Sequence, residues 1–103
     1  MKQLFEPNGI AVVGASSNPA KAGFVAIRNM REKGYGGAVY PVNPKEKEIL
    51  GYPCSPSLRK VEGQVDLVVL IMPSKMIYSV MDDLDRRMEE KCDVKFIVCA
   101  AAD

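Results

Sequence analysis

Histidine is absent from this 103-residue chain, which removes imidazole general acid–base catalysis, imidazole metal ligation and phosphohistidine formation from the segment. Cysteine is scarce. Cys54, Cys92 and Cys99 lie far apart without C-x-x-C spacing, so neither a disulfide framework nor a zinc site is indicated, and a thiol nucleophile would lack a histidine partner. A reducing, cytoplasmic setting is the expectation. Long apolar runs are missing too: no stretch reaches the roughly 18 residues of a membrane span, and residues 1–7 hold no signal-peptide core, so no membrane partner is expected. Charge of one sign is also lacking. Fourteen Lys and Arg against 13 Asp and Glu leave a net charge of +1, which is no electrostatic footprint for nucleic acid or an anionic bilayer. Any phosphate recognition must be local.

What is present is a core. At 48% apolar composition, residues 1–103 read as one domain without repeats, low-complexity tracts or a linker. The most informative stretch is Ile10-Ala11-Val12-Val13-Gly14-Ala15-Ser16-Ser17-Asn18-Pro19-Ala20-Lys21-Ala22-Gly23. Its apolar start suits a parallel strand covered on both faces. Gly14 permits a sharp turn and close ligand approach, and Ala15 and Ser16 are small enough to leave the main chain open to an anion. Asn18-Pro19 predicts a helix start, Asn as N-cap and Pro as first helical residue, with the dipole and free amides favouring a phosphate there. Lys21 in a first helical turn is poor for the helix alone and points to a nearby anion. The glycine spacing is not the G-x-G-x-x-G of most dinucleotide folds, so an ordinary strand-to-helix turn remains the competing reading of this segment.

Phe24, Ile27 and Met30 recur at helical spacing between residues 21 and 33, and Gly34 is placed to end that helix. Ala38-Val39-Tyr40-Pro41-Val42 predicts a second strand, its proline marking a strand end or bulge. Residues 49–54 predict a short edge strand and residues 57–61 one helical turn. Residues 66–72 form the clearest strand. Ser74 is expected to cap the next helix, whose Ile77, Val80, Met81, Leu84 and Met88 share one face. Its charged residues, Asp82, Asp83, Asp85, Arg86, Arg87, Glu89 and Glu90, are expected on a solvated surface. Residues 94–99 predict a last buried strand. The plan is α/β: a Rossmann-like parallel sheet of four to five strands with helices on both faces. Right-handed crossovers put the first strand between the second and the strand at 66–72, gathering residues 14–17, 42–45 and 72–74 at one edge.

In dinucleotide sites of this architecture an acid usually ends the second strand and holds a ribose hydroxyl. Here the chain reads Val42-Asn43-Pro44-Lys45. A cation in place of the acid favours a ligand with an additional ribose phosphate, coenzyme A or NADP, over NAD, although an ordinary surface lysine reads the same way.

The segments Leu4-Phe5-Glu6-Pro7-Asn8-Gly9-Ile10-Ala11-Val12-Val13-Gly14-Ala15-Ser16, Pro19-x-Lys21-x-Gly23, Tyr35-x-Gly37-x-Val39-Tyr40-Pro41-Val42-Asn43-Pro44-Lys45, Ile49-Leu50-Gly51 and Val65-Asp66-Leu67 resemble the N-terminal CoA-binding domain of NDP-forming acyl-CoA synthetases, relatives of the succinyl-CoA synthetase α subunit. The resemblance runs over nearly the whole chain. It implies a noncovalent CoA or acyl-CoA module, inert alone, that is a fragment of a larger multidomain protein. The partners it implies are a phosphohistidine domain and an ATP-grasp domain, in cis or on another subunit. The reaction implied for the parent is reversible acyl-CoA formation with nucleoside triphosphate hydrolysis, through acyl-phosphate and phosphohistidine steps.

Carried over residue by residue, the resemblance implies that Gly14, Ala15, Ser16, Ser17 and Lys21 hold the coenzyme phosphates. Asn43, Pro44 and Lys45 meet the adenosine phosphate region, and Met72, Pro73 and Ser74 line the path of adenine or pantetheine. No catalytic or metal-ligating residue is assigned. The chain departs from the family after the last strand, where a glycine-containing turn is usual and Cys99-Ala100-Ala101-Ala102-Asp103 stands instead; this leaves recognition of the thioester end open. Two alternatives stay in play: an NAD(P)-binding module of an oxidoreductase or redox regulator, and a regulatory CoA-binding domain of a protein acetyltransferase.

Overall fold

The computed structural model describes residues 8–34, 36–72, 74–91 and 93–101. Pro73, Tyr35, Cys92 and the residues 4–7 of the family-like start lie outside the described residues. Four parallel strands, β1 (Gly9–Val13), β2 (Ala38–Val42), β5 (Leu67–Met72) and β6 (Phe96–Ala101), form one sheet in the order β2-β1-β5-β6. The first strand is internal, as right-handed crossovers require. Its register runs from Gly9 opposite Ala38 to Val13 opposite Val42 on one side, and from Ile10 opposite Leu67 to Val13 opposite Leu70 on the other. Helix α1 (Ala22–Glu32) links β1 to β2, and α2 (Ile77–Glu90) links β5 to β6.

Alternation along β1 divides the core between two faces. Ile10 and Val12 pack with Ile27 of α1, Val39 and Ile71. Ala11 and Val13 pack with Leu84 of α2, Val68, Leu70 and Met72. The predicted stripe of α2 accordingly faces the sheet, with Ile77, Val80, Met81 and Met88 packed beside the buried Leu84. Pro41 sits where β2 needs no donor to its neighbour, and its carbonyl accepts from Ser55 N–H at 3.0 Å. The strand continues through it without a bulge.

Five expectations are corrected. Helix α1 begins at Ala22, not Pro19, with Lys21 as an extended N-cap that makes no side-chain cap bond. Asn18 closes a reverse turn instead: its Oδ1 accepts from Ala20 N–H at 3.0 Å and its carbonyl from Lys21 N–H at 3.0 Å, a use for which Asn-Pro is equally suited. Ser74 opens a short 3-10 turn, Ser74–Met76, and the α-helix starts after Met76. Residues 48–53 make a hairpin of β3 (Glu48–Ile49) and β4 (Tyr52–Pro53), separate from the main sheet. Leu50 and Gly51, both at positive φ, form its two-residue turn. Arg87 leaves the charged surface and is fully buried. Last, β6 is an edge strand, and Phe96 and Val98 remain 50% and 49% exposed, because α1 packs over the β1–β2 half of that face.

Asp66, at the amino end of β5, joins three elements. Its carboxylate accepts from Asn8 N–H at 2.8 Å and Gln64 Nε2 at 2.9 Å, and these bonds hold its pKa below the ordinary carboxylate value. Among the described residues no helix is long and apolar enough to cross a membrane.

Candidate functional site

A cavity of about 830 Å³ opens at the carboxyl ends of β1, β2 and β5. The β1–α1 turn supplies Gly14, Ala15, Ser16, Lys21 and Gly23; the segment after β2 supplies Asn43, Pro44 and Lys45; β5 supplies Ile71 and Met72. The far wall comes from Pro56, Ser57 and Leu58 on one side and Met76, Ser79, Val80 and Asp83 on the other. Lys21 and Lys45 are thus both at the strand-end side of the cavity, and Asp83 stands on the helix α2 side. The Asp83 carboxylate accepts from Arg59 N–H at 3.2 Å.

Main-chain contacts build the turn. Gly14 has φ +93°, and a Cβ there would lie 1.9 Å from the Ile71 carbonyl oxygen. A Cβ on Gly23 would lie 2.1 Å from the Gly14 carbonyl oxygen. Only glycine therefore lets α1 and β5 approach the turn this closely. The Gly14 amide donates to Val42 O at 3.2 Å, and the Asn18 amide to Ser16 Oγ at 3.0 Å. By contrast, the amides of Ala15, Ser16, Ala22 and Gly23 find no acceptor among the described residues. Small side chains and unpaired donors are what an anion site needs.

Ten of the eleven residues singled out in the sequence are described. Gly14, Ala15, Ser16, Lys21, Asn43, Pro44, Lys45 and Met72 all line the one cavity. Ser17 does not; its hydroxyl donates to Glu46 Oε2 at 2.5 Å. Ser74 begins the turn after β5, and Pro73 falls outside the described residues. Asn43 is engaged within the protein, its Nδ2 donating to Ala15 O at 2.7 Å and its Oδ1 accepting from Lys45 N–H at 2.7 Å. Beside it, Cys54 Sγ donates to Asn43 O at 3.7 Å. Burial pushes this thiol up from its ordinary pKa, and Glu46 adds to the effect.

Sequence reasoning missed the far wall. Pro56, Ser57 and Leu58 come from the least regular part of the chain, where no spacing signal places them. Met76 caps the start of α2, Ser79, Val80 and Asp83 lie on its first two turns, and helical spacing carries these three to one side together. No cluster of metal-ligating side chains is found among the described residues.

Residues 8–102 match a family model described as a CoA binding domain. The chain is 40% identical over 87 residues to an ADP-forming acetate–CoA ligase I of Archaeoglobus fulgidus, a match spanning 84% of this chain and 12% of that protein. It is 42% identical over 74 residues to the α subunit of an ADP-forming acetate–CoA ligase II of Pyrococcus furiosus, spanning 72% of this chain and 16% of that one. Among solved structures, a dinucleotide-forming acetyl-coenzyme A synthetase 1 of Ca. Korarchaeum cryptofilum, in complex with phosphate and ADP, superimposes with a TM-score of 0.82 at 40% identity. That match covers 92% of this chain and 19% of the other. The chain therefore spans less than a fifth of the length of each of these three relatives.

Proposed function

The chain belongs to the CoA-binding domain family found in ADP-forming acyl-CoA ligases, and from that premise we propose that its cavity holds coenzyme A or an acyl-CoA noncovalently. The observation that carries the reading is the set of amides at Ala15, Ser16, Ala22 and Gly23, without acceptors among the described residues, beside Lys21. Backbone donors and a helix N-terminus suit the coenzyme's pyrophosphate. Lys45, on the segment after β2 at the same strand-end side, suits the ribose phosphate. Met72 and the apolar wall formed by Leu58 and Val80 suit the adenine or the pantetheine arm.

Ser17, bonded to Glu46, has its hydroxyl turned to that carboxylate, so in this reading it contributes to the turn and not to the coenzyme. Gly14 and Gly23 act by leaving space. The acyl-transfer chemistry belongs to groups outside residues 1–103. In this proposal an ATP-grasp domain and a phosphohistidine domain, in cis or on a partner subunit, work on the thiol or thioester that this domain presents, in a reducing cytoplasmic setting.

Titration calorimetry with CoA, acetyl-CoA, NADH and NADPH tests the reading. CoA or acetyl-CoA is expected to bind at least about tenfold more tightly than NADH, a difference of about 1.4 kcal/mol. Tighter binding of NADH would overturn it.

A further inference from the structure

We propose that Asn43 is a positioning residue: its side chain fastens the β1 turn to the Pro44-Lys45 turn and so sets the direction of an unpaired donor and of a cation at once. The proposal rests on the coenzyme reading of the cavity and adds a role that contact with the coenzyme does not supply.

All of Asn43's polar groups have partners inside the protein. Its N–H donates to Ser55 O at 2.9 Å, its carbonyl receives Cys54 Sγ at 3.7 Å, and its side chain bridges Ala15 O and Lys45 N–H at 2.7 Å each. An amide side chain presents a donor and an acceptor on opposite arms of one rigid plane. It therefore fixes the two turns relative to each other as well as to itself.

The bond to Ala15 has a consequence at the next residue. In a trans peptide unit the carbonyl and the following N–H point in opposite directions. Holding Ala15 O against Asn43 thus aims Ser16 N–H away from Asn43. Ser16 lines the cavity, and its amide finds no acceptor among the described residues. The second bond acts on the other turn. With Lys45 N–H held on Oδ1, the Asn43-Pro44-Lys45 segment closes as an Asx turn, and the root of the Lys45 side chain is fixed at the cavity rim.

A residue of this kind leaves a mark in the ligand-free protein, where a ligand-contacting residue leaves none. The experiment uses the full chain labelled with 15N, as Asn43→Ala and Asn43→Asp beside the unaltered chain, each checked for folding by its melting transition. In Asn43→Ala without ligand, the Lys45 amide should exchange with solvent at least about tenfold faster and the Ser16 amide shift should move, while CoA affinity falls about tenfold. Asn43→Asp keeps an acceptor for Lys45 and sets an acceptor against Ala15 O, so Lys45 should stay protected while the Ser16 shift moves. A loss of affinity with unchanged Ser16 and Lys45 amides would mean direct contact and overturn the proposal. So would changed amides with CoA affinity kept within about twofold. If the unaltered chain bound no CoA, the coenzyme reading would fall and this one with it; if only Asn43→Ala bound CoA as the unaltered chain does, this one alone would fall.

Discussion

The two ends of the sheet treat polar groups in opposite ways. At the carboxyl ends of β1, β2 and β5, amides at Ala15, Ser16, Ala22 and Gly23 lack acceptors among the described residues, and two lysines stand beside them. At the amino ends no buried side-chain nitrogen or oxygen of the described residues lacks a partner. Arg87, in the last turn of α2, donates to the carbonyls of Leu58, Val61 and Gly63 at 2.7 to 2.9 Å and grips both carboxylate oxygens of Asp93. Those five bonds use all of the guanidinium's donors. Asp93 also accepts from Val65 N–H at 2.8 Å. Burial pushes its pKa up, but the Arg87 and Val65 bonds outweigh this and hold it below the ordinary carboxylate value. One end is finished by the protein, and the other keeps donors that find no acceptor among the described residues.

The comparison breaks most severely at Arg87. Arg87→Met should cost about 3–5 kcal/mol in denaturant unfolding, because it strands a largely buried carboxylate and three carbonyls. A loss below about 1 kcal/mol would mean that water or rearrangement satisfies these groups. At the opposite end, Gly23→Ala gives the helix about 1 kcal/mol of propensity but forces a methyl into the Gly14 carbonyl. The net loss should be about 2 kcal/mol, and CoA affinity should fall with it as the turn shifts.

Acid sharpens the contrast through the finished end. Asp66 and Asp93 both have folded pKa values below their unfolded ones, about 3.9 for Asp. Their contribution is present in full above that unfolded value and is lost as pH falls through the lower folded values. The melting temperature should therefore drop on acidification below about pH 4, and Asp66→Asn should shrink the drop. Lys45→Ala probes the open end alone: the melting temperature should hold while CoA affinity falls about tenfold and dephospho-CoA affinity about twofold or less. Equal losses for both ligands would mean that Lys45 does not read the ribose phosphate. The smallest effect belongs to Arg59→Ala. Its ion pair with Glu90 at 2.7 Å is 45% exposed on each side, and removing it should leave the melting temperature within experimental scatter.

The strands were legible in the sequence because period and burial agree there: β2 spans the predicted residues, β5 falls inside its stretch, and β1 starts one residue ahead of its own, at Gly9. The site was legible as a gathering of three strand ends, since topology alone brings residues 14–16, 43–45 and 72 together. The start of α1 was not, because Asn18-Pro19 satisfies the rules for a helix cap and for a reverse turn equally well, and the turn wins by using both the side chain and the carbonyl of Asn18. Arg87 was hidden within a run of charge. Its spacing held the signal: it lies three residues after Leu84 and seven after Val80, on the stripe that faces inward. The bridge from Asn43 to Lys45 follows from Asn-Pro turn chemistry, whereas its partner Ala15, 28 positions away, is a matter of tertiary structure. The exposure of β6 had no local sign, since an apolar edge strand and an apolar inner strand read alike.

At Gly14 the backbones of β1, α1 and β5 touch with no side chain between them. Stiffness of the sheet is thereby passed straight into the loop that follows. In the coenzyme reading proposed above, a turn held in this way is ordered before the ligand arrives, so the ordering lost on binding falls mainly on the freely rotating coenzyme.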